Sequence, residues 1–182
     1  MEEALIKRVL PHSIEAEQSV IGSMLLDKEA IVVACELIHA DDFYQHQYGV
    51  MFEAITELYN EGKPTDLVTL QERLKTKDIP PEVCSIAAFR ELLGMVPTSA
   101  NIRYYAQIVY DKALLRRLIR INEEIENECY AQKQDVSEIM ELTEKRVFDL
   151  LEHRQTGDYV PIRDVVINVI NKIEMASRTK ST

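Results

Sequence analysis

The sequence of 182 residues has no tryptophan, five glycines and six prolines. So few turn residues exclude a fold of many short strands and favour long helices joined by brief connections. Cysteine is also sparse. Cys35, Cys84 and Cys129 lie far apart, with no CxxC pair and an odd count, which argues against a disulfide framework or a thiolate metal site. No run of about 18 apolar residues occurs, so no membrane span is expected. The opening "MEEALIKRVLPHS" places two acids first and has too short an apolar run for a secretory signal. These features predict a cytoplasmic protein without membrane contact.

Motifs of chemistry are missing too. There is no GxxxxGK[ST] loop to cradle phosphate, and "EGKP" at 61–64 is no substitute, because proline follows the lysine. HExxH, GxSxG and the EF-hand pattern are also absent. His12, His39, His46 and His153 are scattered and read as surface or capping residues. Neighbouring acids such as Asp41-Asp42 and Glu123-Glu124 read as solvated faces. No catalytic, cofactor-binding or metal-ligating set is expected.

What is present is apolar content of 46%, enough for a real core, and a net charge of −10 that is unevenly spread. Residues 1–100 hold eight basic and 17 acidic residues, while 101–155 and 156–182 are nearly neutral. Affinity for nucleic acid comes largely from Lys and Arg displacing counterions. The acidic first segment therefore predicts little or no direct DNA binding and suits a protein partner better. The one basic knot is Arg116, Arg117 and Arg120. Asp111, Glu123 and Glu124 are within helical reach, so internal pairing competes there with an outside partner.

Periodicity predicts an all-α fold. Ser13 is a plausible N-cap, with Glu15 and Glu17 in the first turn, where the helix dipole favours acids. Ile14, Ile21, Met24 and Leu25 then share one side. Further helices are expected over about 28–38 and 45–61, the latter burying Tyr48, Phe52, Ile55, Leu58 and Tyr59. Gly62 suits the left-handed position after a helix, and Pro64 cannot continue it. Thr65 or Asp66 caps a fourth helix with Leu67, Leu70 and Leu74; a fifth runs about 83–93 and ends at Gly94. These five form a compact head, residues 1–100.

Residues 101–155 then predict an antiparallel helical hairpin. Ser99 or Asn101 caps a helix of about 30 residues, whose stripe includes Ile102, Tyr105, Ile108, Val109, Leu115, Leu118, Ile119, Ile125 and Cys129. "KQD" turns the chain. Asp135 with Glu138 resembles a capping box before a return helix carrying Val136, Ile139, Leu142, Val147, Leu150 and Leu151. Two such stripes need more cover than each other, so self-association is expected. Residues 156–182 are expected to form a linker and a separate linker helix with the stripe Ile162, Val165, Val166, Val169, Ile170 and Ile173. Docking on a part outside this chain or on a neighbour is expected in preference to folding back on the hairpin.

Four stretches carry a resemblance. "PHSIEAEQSVIGSMLLD" is similar to the opening signature of DnaB-type replicative DNA helicases. "DDFYQHQYGVMFEAITEL" and "GKPTDLVTLQERL" resemble the family's next two motifs, with Tyr48 near the usual His. "VPTSANIRYYAQIVYDKALLRRLI" resembles its Pro-Thr-x-Ala-Asn segment and the run after it. "CSI" replaces the family's Gly-Gly before the fifth helix. The resemblance implies the N-terminal collar domain plus the linker helix, with the motor domain, and its ATP and Mg, lying beyond residue 182. It implies a non-catalytic role in assembling a homo-oligomeric collar, and it implies docking of the primase C-terminal domain, with a helicase loader as a further partner. Glu15, Arg116, Ile119, Arg120 and Ile125 are the candidate primase contacts. Ile162, Val166, Val169, Ile170 and Ile173 are the candidate linker-helix docking residues. Two other readings remain open: the helicase-interaction domain of a primase, and an α-helical nucleic-acid-binding regulator.

Overall fold

A computed structural model describes residues 9–155 apart from 78, 79, 81 and 97. The candidate linker helix, with Ile162, Val166, Val169, Ile170 and Ile173, lies outside the described residues. Among those described, seven α-helices and two short 3-10 turns form the chain and no strand occurs. None of these helices is long and apolar enough to cross a membrane. The chain divides after Asp135 into two compact units.

In the first unit, α1 (Ile14–Leu26) starts where Ser13 Oγ accepts from the Ala16 N–H. It is followed almost at once by α2 (Lys28–Leu37), capped by Asp27 through Glu29 N. A 3-10 turn, Ala40–Asp42, leads to α3 (His46–Asn60). Gly62 has φ +68, and bonds run from Gly62 N to Tyr59 O and from Lys63 N to Leu58 O. That is a Schellman closure, which needs a residue free to enter the left-handed region. Of the two candidate caps of α4 (Leu67–Leu74), Asp66 does the work, accepting from Val68 N and Thr69 N. α5 runs over Ile86–Met95, later than expected, because Ser85 caps it through Ala88 N. Gly94 therefore lies inside the helix rather than ending it. A second 3-10 turn (Ser99–Asn101), capped by Thr98, opens α6 (Ile102–Ala131). Asn101 makes no side-chain cap bond there.

The core is built where α1 packs against α2, α3, α5 and α6. Val20, Ile21 and Met24 are fully enclosed, as are Ile31, Met51, Ile55, Leu58, Leu70, Leu74 and Phe89. α6 contributes Ile102, Ala106, Val109 and Ala113, a four-three-four spacing that keeps one stripe inward. Beyond Ala113 no residue of α6 is fully buried, and Leu115 is exposed. Tyr59 is also exposed rather than buried, since it lies one step past Leu58 on the outer side of α3. The three cysteines are free.

The second unit begins with α7 (Val136–Gln155). Val136, Met140, Val147, Phe148 and Leu151 are exposed on it.

Gly49 controls how closely α3 approaches the Ala40–Asp42 turn. A Cβ built there would sit 2.6 Å from the Ala40 carbonyl oxygen, a backbone atom that cannot swing aside. Gly49→Ala should lower unfolding stability by about 1–3 kcal/mol, read from chemical denaturation. Stability equal to the parent would show that the turn yields freely.

Candidate functional site: a buried carboxylate–arginine junction

Three segments remote in sequence meet beside the start of α1: residues 11–17, the turn and loop at 39–45, and the middle of α6. Glu17 lies one turn into α1 and is almost wholly buried. Its Oε1 accepts from Tyr44 N at 2.7 Å and its Oε2 from Gln45 N at 3.1 Å. These two N–H groups precede α3, so Glu17 satisfies from outside what the helix cannot. Gln18 adds a bond from its Nε2 to the Tyr48 hydroxyl at 2.9 Å.

Asp42 is equally buried. Its Oδ2 accepts from His39 N at 2.8 Å, closing the 3-10 turn, and its Oδ1 accepts from Arg117 Nη2. Arg116 reaches the same place from α6. Its Nη1 donates to Pro11 O at 2.7 Å and its Nη2 to Asp42 O at 2.5 Å. The guanidinium lies 5.8 Å from the Tyr44 ring centre, and Tyr44 stacks on His12 with centroids 4.2 Å apart. Burial pushes the Glu17 carboxyl above its ordinary range, while the N–H groups of Tyr44 and Gln45, Arg116 and His12 pull the other way. Burial likewise lowers the Arg116 value, against the pull of Glu17 and Asp42.

This geometry corrects three sequence-based expectations. Glu17 does more than favour a helix start: it ties α1 to the loop after the turn. Asp42 is buried, unlike its neighbour Asp41, which is exposed. Arg116 and Arg117 pair with Asp42 and with carbonyls of the first 42 residues rather than with Asp111, Glu123 or Glu124; Asp111 accepts instead from Gln107. Helical spacing showed only neighbours on one helix, and the true partners lie 74 to 105 residues away.

Glu15 is exposed on the first turn of α1, where Ser13 Oγ donates to its Oε2 at 3.4 Å. Ile119 and Ile125 are both half-buried, and Arg120 is exposed. Arg116 is occupied inside the junction. Sequence reasoning left out Glu17, Asp42, Arg117, His12 and Tyr44 as partners of one another. The one available signal was the motif itself, since "EAEQ" and "DDFY" are the stretches that carry Glu17, Asp42 and Tyr44.

Fold and junction define an all-helical domain whose buried charges fasten its N-terminal segment and first loop to its longest helix. Residues 9–111 match the family model of the DnaB-like helicase N terminal domain. The chain belongs to that family. It is 33% identical over 175 residues to the replicative DNA helicase DnaB of Geobacillus stearothermophilus, covering 96% of this chain and 38% of that protein. It is 34% identical over 180 residues to the replicative DNA helicase DnaC of Bacillus subtilis, covering 99% of this chain and 40% of that one. The chain thus spans about two fifths of the length of these curated relatives. The crystal structure of the N-terminal domain of DnaB helicase from Mycobacterium tuberculosis superposes with a TM-score of 0.71 at 36% identity, over 78% of this chain and 99% of that one.

Glu17→Gln keeps the volume but turns an amide NH2 toward one of two buried N–H donors. It should cost about 1–3 kcal/mol near neutral pH. The folded protein holds the Glu17 proton more tightly than the unfolded chain, so this group adds stability as pH falls through its folded value toward the ordinary 4.5. The variant lacks that contribution. Its deficit relative to the parent should therefore widen as the pH is lowered from neutrality toward the ordinary 4.5, measured by parallel denaturant titrations. A deficit that narrows on acidification would refute this assignment of the proton.

Proposed function

We propose that this chain serves a replicative DNA helicase as its non-catalytic N-terminal domain, assembling the subunits into a collar and docking primase at the replication fork. The observation that carries the reading is the match of residues 9–111 to the family, together with similarity to full-length helicases over nearly the whole chain. That breadth favours a helicase over the helicase-interaction domain of a primase. The acidic balance of residues 1–100 weighs against an α-helical nucleic-acid-binding regulator, and this reading assigns little or no direct DNA binding to the chain.

ATP and Mg belong, in this reading, to a motor domain outside these residues. The residues present do not fit the nucleotide: the sequence has no phosphate-cradling loop, and the described arginines nearest to forming a cluster hold carbonyls and a carboxylate of their own chain. The work of unwinding is therefore assigned to other parts of the helicase, in the cytoplasm, with a helicase loader as a further partner.

Self-association is supported by α7, where Val136, Met140, Val147 and Leu151 are exposed at spacings of four, seven and four. An exposed apolar stripe of this kind is ordinarily covered by a partner. Multi-angle light scattering of the purified chain at micromolar concentration should give at least a dimer. A strict monomer at the highest attainable concentration would reject collar assembly by this chain alone.

Primase docking is assigned to Glu15, Ile119 and Ile125, with Arg120 beside them; Arg116 supports the surface from within the junction. Ile119 and Ile125 are six apart, about 120° in projection on an α-helix, so they cannot share one narrow stripe. An apolar anchor among polar neighbours is the usual form of an interface hot spot. Ile119→Ala and Ile125→Ala should each weaken binding of the cognate primase C-terminal domain by about 2 kcal/mol, read by calorimetry, with oligomeric state unchanged. Unaltered affinity in a folded protein defeats the assignment. Joint loss of affinity and self-association would move these residues to the subunit interface.

A further inference from the structure

Next to the junction, Asp41 and four residues of α6 line a surface cleft. Ala113, Arg116, Arg117 and Arg120 lie along one side of it, at helical three-and-four spacings, and Asp41 stands on the wall supplied by the 3-10 turn. We propose that this cleft captures a carboxylate side chain presented by an acidic segment of a partner protein. The proposal rests on the partner-docking reading only for the existence of a partner, and it adds the chemistry that this part of the surface selects.

A guanidinium carries five N–H donors. Arg116 spends both terminal nitrogens on Pro11 O and Asp42 O, so it is held rigidly and acts as a fixed positive wall. Arg117 commits only Nη2, to Asp42, and its side chain is 36% exposed. Arg120 is exposed and makes no hydrogen bond or ion pair among the described residues. Arg117 and Arg120 are three apart, hence neighbours on the helix surface. Ala113 contributes only a methyl group, which leaves room between them and the turn. The free fork of Arg120 and the remaining donors of Arg117, beside an immobilised third arginine, suit a planar oxyanion, because guanidinium donors match both oxygens of a carboxylate.

Three features select a protein carboxylate over a polyphosphate. Asp41 faces the cleft with a like charge, and residues 1–100 carry nine more acids than bases; both oppose a multiply charged chain far more than a single carboxylate. A lone carboxylate at an exposed arginine gains little by itself, so it must arrive on a polypeptide that makes neighbouring contacts. Tyr44, 38% exposed and under the Arg116 guanidinium, lies outside the cleft's lining.

The test follows the arginine Nε–Hε NMR signals of the whole chain as it is titrated with a blocked Ala-Glu-Glu-Ala peptide and, separately, with a short single-stranded oligonucleotide. The peptide should shift the Arg117 and Arg120 signals saturably. Arg120→Ala should weaken the peptide about fivefold, the scale of one exposed ion pair. Asp41→Asn should tighten it about twofold, and Lys75→Ala, which removes an exposed cation on α4, should leave it unchanged. The absence of saturable shifts would overturn the proposal. So would equal weakening by Lys75→Ala, or tighter binding of the oligonucleotide than of the peptide. None of these outcomes depends on the isoleucine contacts, so failure here and failure of primase docking are separately visible.

Discussion

Two buried carboxylates, satisfied from three directions, hold the first unit in register. Glu17 and Asp42 would each be costly in an apolar interior without partners. Each is instead fully engaged: Glu17 by two N–H groups of the loop, Asp42 by one N–H group of its own turn and by Arg117. Arg116 then bridges carbonyls of the same two segments, Pro11 O and Asp42 O. The consequence is geometric. The direction of α1, the entry into α3 and the rotation of α6 about its axis are set by one set of bonds with narrow angular tolerance.

That constraint reaches the surface. Ala113 and Arg120 are seven apart and share one face of α6; with the rotation set at Arg116, that face is buried at Ala113, where it meets the head, and exposed at Arg120, two turns further on. Ile119 and Ile125 are left half-covered on different sides. The apolar core alone would tolerate some rotation of α6, because hydrophobic contact is non-directional. The hydrogen-bonded arginines do not. A domain whose role is to present surfaces to other proteins gains from such an arrangement, since loose presentation of an interface weakens binding through the ordering it then requires.

The salt-linked network between α3 and α4, whose cations Arg73 and Lys77 are half-buried, contributes differently. Arg73 bonds Glu57 and Glu61, and Lys77 bonds Glu53 and Glu57. Arg73 and Lys63 hold the Glu61 carboxyl down at about 2, and Lys77 and Arg73 lower Glu57. These groups stay ionised through the ordinary pH range. They stabilise the packing of α4, Arg73 through a two-nitrogen fork on Glu61, while solvent screening keeps each pair modest.

Much of this protein was settled by sequence alone. Scarce glycine, absent tryptophan and apolar residues at three-and-four spacing determined an all-helical chain, since these are local properties of the backbone. Ser13, Asp66 and the Gly62 closure were legible for the same reason: a cap or a left-handed turn involves residues only a few positions apart. The motifs in "EAEQ" and "DDFY" point to the family by themselves. What only the tertiary structure decided was which charges lie inside and what they meet. Glu17 and Glu15 share a helix turn and a residue type, yet one is buried and one exposed. Asp41 and Asp42 are neighbours with the same contrast. Arg116 looks like Arg120 in sequence but is locked by carbonyls from residues 11 and 42. Helical periodicity reports a side chain's neighbours on its own helix. It carries no information about a hydrogen bond closed across 105 residues, whose partner is chosen by how the helices pack.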